Sequence, residues 1–213
     1  MSFRNSRYIS LFFFACCLLV MGGSPRALAG DREKSLETLV AAVQGISSIR
    51  TNFTQTTDIP MFSQPLKVQG ILLYARPAAL LWEYQEPFVE GFSLKDGRIV
   101  RWENSRASVV GKGAGQDPVA AIIADNLMAW VSLDLEKIRR EYDVKVTGTA
   151  PVTLHLVPKN KGLQEIIADL TISFQANGVA SSVVLREARG GSTTISFYNT
   201  VINAGINPAE FLQ

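Results

Sequence analysis

The feature that most constrains this sequence is a pair of consecutive segments that are apolar on both faces of a strand. Residues 70–75 read Gly-Ile-Leu-Leu-Tyr-Ala, and the Arg76-Pro77 corner separates them from Leu80-Leu81-Trp82. Successive side chains of a strand point to opposite faces, so both faces of these segments are apolar. Such strands need cover on both faces. Either a helix covers one face, or the protein keeps an apolar cavity that another molecule fills.

The first 29 residues have the pattern of a secretory signal peptide. Arg4 and Arg7 form a basic start, an apolar run covers residues 9–20, and Ala27-Leu28-Ala29 is a small-residue cleavage pattern. The apolar run is shorter than the roughly 20 residues that a membrane-spanning helix needs. We therefore expect residues 1–29 to be removed.

The remaining residues, 30–213, are expected to form a single domain located in the periplasm. A lipid-attachment site at Cys16 is the alternative, which we disfavour because the residues before it fit poorly. Removal of the signal takes away both cysteines and three arginines, which changes the formal charge from +2 to −1. A nearly neutral chain has no electrostatic footprint for nucleic acid. We expect a monomer whose core is stabilised by packing.

The rest of the sequence predicts a first helix followed mostly by strands joined by tight turns. Asp31 is a candidate cap for that helix, whose apolar face would hold Leu36, Leu39, Val40 and Val43. The hairpin signals are Asp96-Gly97, Asn177-Gly178 and Gly190-Gly191. Successive hairpins predict an antiparallel meander.

A helical insert interrupts the strands. Asp117-Pro118 is a favourable helix start, and the apolar stripe that follows ends at Trp130. Asp134 is a candidate cap for a further short helix. A curved antiparallel sheet with helices over its opening encloses either a packed core or a lipid pocket. Patterning does not distinguish the two, and by itself it favours the packed core.

The search for catalytic chemistry finds little. His155 is the single histidine, and no cluster has the ligand spacing of a metal site. No GxSxG nucleophile elbow is present, although a triad of a distant serine with His155 and Asp169 stays formally open. The glycines of residues 111–115 lack the order of a phosphate-binding loop. We predict no catalytic residues, no metal and no cofactor, and we do not expect an enzyme.

The order of short motifs resembles the family of periplasmic outer-membrane lipoprotein carrier proteins (LolA), as a divergent member. The matching segments are Phe53-Thr54-Gln55, Gly70-Ile71-Leu72, Arg76-Pro77, Leu81-Trp82, Pro87, Asp96-Gly97, Asn207-Pro208 and Phe211. Together they cover nearly all of the chain after the signal.

This resemblance implies an α+β fold that is mainly β: an unclosed antiparallel β-barrel with an N-terminal helix and a helical lid over a hydrophobic cavity. It also implies a carrier that takes acylated lipoproteins from an inner-membrane exporter to an outer-membrane acceptor. The arginine that matches Arg76 would hydrogen-bond to the lid backbone and hold the lid shut. No counterpart of the family's C-terminal extension is visible after Phe211, which leaves lid and cargo details open.

The predicted acyl cavity has walls from the sheet and from the lid. Its candidate residues are Phe53, Leu73, Leu80, Trp82, Phe92 and Leu94 from the sheet, and Ile122, Ile123, Leu127 and Trp130 from the lid. Each of them alone is more typical of an ordinary core than of a ligand contact, but as a set some of them must line any cavity that exists. The alternatives in function are a carrier of a non-protein lipid for a different exporter, a periplasmic lipid-sensing interaction module and, more remotely, an esterase.

Overall fold

The computed structural model describes residues 25–103, 106–112 and 126–211. The helices are α1 (Pro25–Gln44), α2 (126–132), α3 (Leu135–Glu141), α4 (Lys161–Gln164) and a 3-10 turn, Pro208–Phe211. The strands are β1 (Ser48–Asp58), β2 (Leu66–Ala75), β3 (Ala79–Glu86), β4 (Glu90–Lys95), β5 (Arg98–Glu103), β6 (Arg106–Lys112), β7 (Tyr142–Thr149), β8 (Val152–Pro158), β9 (Ile167–Phe174), β10 (Ala180–Glu187) and β11 (Ser192–Ile202).

All eleven strands belong to one antiparallel sheet with the order β6-β5-β4-β3-β2-β1-β11-β10-β9-β8-β7. The sheet is therefore two meanders, β1–β6 and β7–β11, joined where the first strand pairs with the last. Asp58 lies opposite Ser192, and Ile49 lies opposite Ile202. Strands β6 and β7 are the two edges and do not pair with each other, so the sheet is open. This architecture confirms the predicted unclosed antiparallel barrel.

The predicted hairpin turns are confirmed by backbone geometry. Asp96 and Gly97 both have positive φ, at 50° and 72°. Two consecutive residues with positive φ are what a two-residue turn between twisted strands requires. Gly178 and the pair Gly190 and Gly191 also have positive φ, at the β9–β10 and β10–β11 turns.

Three helices cover one face of the sheet, which we call the inner face. The apolar side of α1 packs with α2 and α3 on the strands of the second meander, in a cluster that includes Leu36, Leu39, Val43, Ala129, Leu133, Ile138, Leu154, Leu156, Leu170 and Ile172. The start predicted for α1 was wrong, because the helix begins at Pro25 and Asp31 lies inside it. Proline fits the first helical turn, where its missing N–H has no intrahelical acceptor to lose. Asp134 does cap α3, where its side chain accepts from the Lys137 N–H at 3.0 Å.

The chain end covers part of the opposite, outer face. Phe211 of the 3-10 turn packs with Leu73, Leu81 and Trp102 in a separate apolar cluster. Polar contacts hold the turn there: Arg50 donates to Glu210 at 2.7 Å, and the Lys95 ammonium donates to the Pro208 carbonyl at 2.9 Å. The two apolar faces of β2 and β3 are thus covered by different parts of the chain, the helices inside and the C-terminal turn outside.

A buried hydrogen bond joins α2 to the start of β7. The Tyr142 hydroxyl donates to the Asn126 side-chain oxygen at 2.8 Å, and the Tyr142 ring meets Trp130 edge-on at a centroid distance of 6.4 Å. Burial, with a smaller contribution from the nearby Glu141 carboxylate, raises the pKa of Tyr142 to about 12. The folded state therefore holds this hydroxyl proton more tightly than an unfolded chain would.

Within the described ranges, no helix is both long enough and apolar enough to span a membrane.

Gly70 is required by the close approach of an aromatic ring. It lies opposite Phe53 of β1, and a Cβ added at Gly70 would collide with the Phe53 ring and with the Glu83 carbonyl. Glycine in the interior of a strand commonly marks such an approach. Here the missing side chain leaves the space that the Phe53 ring occupies on the inner face.

We expect Gly70→Ala to lower the free energy of unfolding by about 1–3 kcal/mol, because overpacking forces side chains or backbone out of place. Urea unfolding followed by circular dichroism measures this. Gly45→Ala is the matched control, since the nearest atom to its added Cβ is 3.7 Å away and Gly45 has no positive φ. Equal unfolding midpoints for the two variants would contradict the packing role of Gly70.

The raised pKa of Tyr142 predicts a specific loss of stability in alkali. Its contribution is complete below pH 10, the ordinary tyrosine value, and disappears as the pH rises through about 12. The free energy of unfolding of the wild-type protein should therefore fall more steeply between pH 10 and 12 than that of Tyr142→Phe. Parallel curves from urea titrations at each pH would show that this hydroxyl is not the responsible group.

Candidate functional site

Four aromatic side chains, three from the first meander and one from β11, form a cluster on the inner face. The rings of Phe53 and Trp82 are stacked, with centroids 4.1 Å apart and an interplanar angle of 28°. Tyr84 meets both rings edge-on, and Phe197 from β11 does the same from the other side. We call these four residues the aromatic cluster. Such pairs stabilise by about 0.5–1.5 kcal/mol beyond the area they bury, so mutual contact holds these four rings together.

Most of the predicted wall residues meet at this cluster. Phe53 and Leu80 have no exposed surface and Trp82 retains 4%. Phe92 and Leu94 from β4 pack against them, and Leu127, Met128 and Val131 from α2 lie over them. The side chains from α2 are only partly buried. Among the described residues, α2 alone of the helices covers the aromatic cluster, whereas α1, α2 and α3 all contribute to the cover of the second meander.

Leu73 is not part of this wall. It lies opposite Leu81 across the β2–β3 ladder, and both belong to the outer-face cluster with Phe211. Leu72 takes the inward position instead, opposite Trp82. The prediction for Leu73 was wrong because a strand that is apolar on both faces offers no alternation from which to choose the inner one.

Trp130 lies next to the aromatic cluster rather than in it. It follows Leu127 on α2 but packs against the second meander, beside Tyr142. Its indole N–H is buried and has no hydrogen-bond partner among the described residues. Ile122 and Ile123, the other two lid candidates, lie outside the described residues. Ile195 and Phe197 contact both apolar clusters, so the inner face is one continuous apolar surface.

Arg76 binds the end of α1. Its Nε donates to the Ile46 carbonyl at 2.7 Å, its Nη2 donates to the Val43 carbonyl at 3.2 Å, and its backbone N–H donates to the Ser47 carbonyl at 2.9 Å. The last carbonyls of a helix lack intrahelical partners and carry partial negative charge, so a guanidinium satisfies them well. Burial raises the pKa of the neighbouring Tyr74, and the positive charge of Arg76 partly offsets this.

The predicted hydrogen bonds from Arg76 to the backbone of the helical insert are not found among the described residues. Within the described part of the chain, Arg76 donates its hydrogen bonds to carbonyls of residues 43–47, at the end of the N-terminal helix, and to none in α2. The connection to α2 is indirect. Ile46, whose carbonyl Arg76 binds, packs in a small cluster against which Met128 and Val131 of α2 lie. Arg76 therefore fixes the segment at the end of α1 that includes Ile46, against which side chains of α2 pack.

Two grooves on the described surface lie away from the aromatic cluster. One of about 300 Å³ runs between α1 and α3 and is lined by Glu33, Leu36, Glu37, Val40, Ala41, Gln44, Leu135 and Arg139. The other, of about 180 Å³, is lined by Phe88, Val89, Glu90 and Glu103. The aromatic cluster itself is filled by side chains in mutual contact, so ligand entry there requires the helices to move.

His155 and Asp169, the two named members of the possible triad, lie close together on the outer face of the sheet. His155 Nε2 lies 3.4 Å from an Asp169 carboxylate oxygen, and Arg186 donates to both oxygens of the same carboxylate. No serine among the described residues hydrogen-bonds to His155. The ranges that the structure covers also contain no group of three or more His, Cys, Asp or Glu side chains that could hold a metal ion.

Sequence reasoning missed Phe197, Leu72 and Met128. The signal for Phe197 was present, since Ile195 and Phe197 are the alternate apolar residues of a predicted strand. Its importance depends on the pairing of β11 with β1, which places Phe197 directly opposite Phe53. That pairing joins residues about 140 positions apart in the chain, and no local pattern encodes it.

Comparison with known proteins gives consistent results. Residues 44–212 match the family model described as outer membrane lipoprotein carrier protein LolA. An outer-membrane lipoprotein carrier protein of Nitrosomonas europaea is 22% identical over 213 residues, which covers 97% of this chain and 93% of that protein.

The similarity in fold extends to a solved structure with little sequence identity. A DUF1329 family protein from Desulfovibrio piger has a TM-score of 0.50 at 11% identity, over 86% of this chain and 96% of that one. The MucA/MucB complex of Pseudomonas aeruginosa contains a chain with a TM-score of 0.48 at 13% identity, over 85% of this chain and 60% of that one. Since the family model covers most of the sequence, this protein belongs to the LolA family of outer-membrane lipoprotein carrier proteins.

Proposed function

We propose that this protein is a periplasmic carrier that shields the acyl chains of lipoproteins against its inner face and transfers them from the inner to the outer membrane. The observation that carries the proposal is the continuous apolar inner face, whose aromatic cluster is covered, within the part of the chain that the structure describes, by partly buried side chains of α2. Such a cover can be exchanged for a ligand of the same apolar character. Membership of a lipoprotein carrier family supports acylated protein as the cargo.

The energetics explain why a carrier of this kind would fill its interior with its own side chains when no cargo is bound. Burial of one methylene group contributes about 0.8 kcal/mol, so an acyl chain does not cross water unprotected. A preformed dry cavity would bind such a chain too tightly to release it. When α2 has to leave the aromatic cluster before cargo enters, the free energy of its packing is subtracted from the cargo affinity. Binding then becomes reversible.

Arg76 is proposed to act as the latch of this empty state. Its guanidinium binds the carbonyls of Val43 and Ile46 at the end of α1, and Ile46 in turn supports α2. Cargo that displaces the helices has to break these hydrogen bonds. Arg76 therefore stabilises the closed form, and this lowers the affinity for cargo by the same amount.

The surrounding system follows from the same proposal. Residues 1–29 would direct export to the periplasm and be removed. The carrier would work as a monomer that receives cargo from an inner-membrane exporter and delivers it to an outer-membrane acceptor. Residues 111–115 lack the order of a phosphate loop, so we assign the energy for loading to the exporter.

A synthetic triacylated lipopeptide tests the function directly. We expect the purified protein to extract it from donor vesicles as a soluble one-to-one complex, and to leave the same peptide without acyl chains unbound. Size-exclusion chromatography with mass spectrometry measures both. Extraction of free phospholipid but not of lipopeptide would favour the carrier of a non-protein lipid, and no extraction of either would remove the carrier proposal.

Arg76→Leu should slow the release of bound lipopeptide by about tenfold, because the loss of roughly 1.4 kcal/mol of hydrogen bonding destabilises the empty state. Dissociation into excess acceptor vesicles, followed by fluorescence of a labelled peptide, gives the rate. Arg98→Leu is the matched control: it removes the same charge at the same end of the sheet, from an exposed turn residue. Equal release from Arg76→Leu and Arg98→Leu would refute the latch.

A further inference from the structure

Exposed apolar side chains are concentrated at one end of the sheet. Among the described residues, six of the nine large exposed apolar side chains lie in or beside the turns at this end: Met61, Phe62, Leu66, Phe88, Val89 and Ile166. The other three, Tyr198, Val201 and Ile202, lie on β11. Single exposed apolar residues are ordinary, but a group of six at one edge marks an interaction surface.

The strand register places these turns side by side. Strand β1 ends and β2 begins at this edge, where Thr57 lies opposite Leu66. Tyr84 opposite Glu90 closes the β3–β4 turn at the same edge, and Asp58 opposite Ser192 puts the β10–β11 turn there too. The Ala188 N–H donates to the Ile166 carbonyl at 3.0 Å, which brings the β8–β9 connection into the row. We call this edge, made of residues 59–66, 87–89, 159–166 and 188–191, the apolar rim.

The most exposed point of the rim is a structured turn. Met61 is 90% exposed and Phe62 is 66% exposed. The Phe62 N–H donates to the Ile59 carbonyl at 2.9 Å, which closes the turn beneath these two side chains. The neighbouring β10–β11 turn supports its base, where a Cβ on Gly191 would meet Asp58 and Pro60. The two large apolar side chains are therefore held outward by a closed turn.

The shape of the rim fits a flat surface better than a pocket. The apolar residues lie on separate turns that extend from the β3–β4 turn to the start of β9, and Phe88 and Val89 also border the groove of about 180 Å³ described above. Strands β3 and β9 are five neighbours apart in the sheet, which corresponds to about 24 Å at 4.8 Å per strand. A protein partner would need a separate depression for each turn, whereas a lipid headgroup layer accommodates all of them at once.

The charges of the rim match headgroups that carry both signs. The rim and the strand ends that lead into it carry both signs, with acidic side chains at Asp58, Glu86, Glu90, Glu165 and Glu187 and basic ones at Lys67, Lys159, Lys161 and Arg189. Neither sign forms a continuous patch, so the rim lacks the basic cluster that attracts strongly anionic lipids. Zwitterionic headgroups combine a phosphate with an ammonium group, so they offer an oppositely charged partner to both the acidic and the basic side chains of the rim.

We propose that the apolar rim docks on the headgroup layer of a zwitterionic bilayer, with Met61 and Phe62 inserted at its centre and Phe88 and Val89 beside them. This inference goes beyond the binding of cargo and does not depend on it. Tyr84 of the aromatic cluster lies on the strand that leads into the Phe88 turn. Docking in this orientation brings one end of the inner face close to the lipid surface.

Cosedimentation of the cargo-free protein with phosphatidylethanolamine–phosphatidylcholine vesicles tests the proposal. We expect measurable partitioning that Met61→Ser/Phe62→Ser reduces at least tenfold. Val201→Ser/Ile202→Ser is the matched control, because it removes two exposed apolar side chains from β11 and should change partitioning less than twofold. Added phosphatidylglycerol should not increase binding, and 0.5 M salt should not abolish it.

Three results would overturn the proposal: no partitioning of the wild-type protein, equal partitioning of the rim variant and the wild type, or binding only to vesicles that contain a membrane protein. The last result would make the rim a protein-docking surface. The rim variant should keep its melting temperature and still bind triacylated lipopeptide in solution. Loss of lipopeptide binding alone, with vesicle binding intact in the wild type, would affect the carrier function and leave the rim proposal standing.

Discussion

Strands β2 and β3 carry apolar side chains on both faces, and the rest of the molecule is arranged to cover them. On the inner side, Leu72 and Trp82 meet α2, and on the outer side Leu73 and Leu81 meet Phe211 of the C-terminal turn. The two covers differ in kind. The outer cover is short and is fixed by the Arg50–Glu210 ion pair. The described inner cover consists of helices, which contact this meander through apolar side chains of α2 and through the hydrogen bonds of Arg76 to the end of α1.

In the proposed carrier, this difference gives the sheet a permanent face and an exchangeable face. A ligand that enters on the inner side needs no change in the strands, because the strand ladder and the outer cluster stay intact. The helices would bear the change, and Arg76, as the proposed latch, would set how readily it happens by binding the end of α1. The aromatic cluster supplies a wall held together by mutual contact, since the stacked Phe53 and Trp82 rings have neighbours on both sides.

Local chemistry made much of this fold predictable. The Asp96-Gly97 and Asn177-Gly178 turns demand positive φ, and the meander follows from them. The inward set Leu80, Trp82 and Tyr84 follows from the period of a strand. The prediction of the cavity wall was wrong at Leu73, because both faces of its strand are apolar and the alternation of side chains does not identify the inner face.

Longer-range features were not predictable in the same way. The pairing of β1 with β11, which places Phe197 beside Phe53, has no local signature. The partner of Arg76 depends on which helix ends near the β2–β3 corner, and that is a result of tertiary packing. Trp130 was assigned to the wall because the apolar stripe of its helix is broad enough to face two clusters, and the sequence does not say which one it meets.

The seam between β1 and β11 has a consequence for how the chain assembles. Each meander consists of neighbours in sequence, but the seam joins Thr54 to Ser196, so it forms only when nearly the whole chain is available. Contacts of such long sequence separation slow folding, because the loop must close before any pairing rewards it. The aromatic cluster is therefore completed only when β11 is available, and the N-terminal half of the chain cannot form the complete sheet by itself. For the export proposed above, this delay would keep the chain extended while it is threaded across the bilayer.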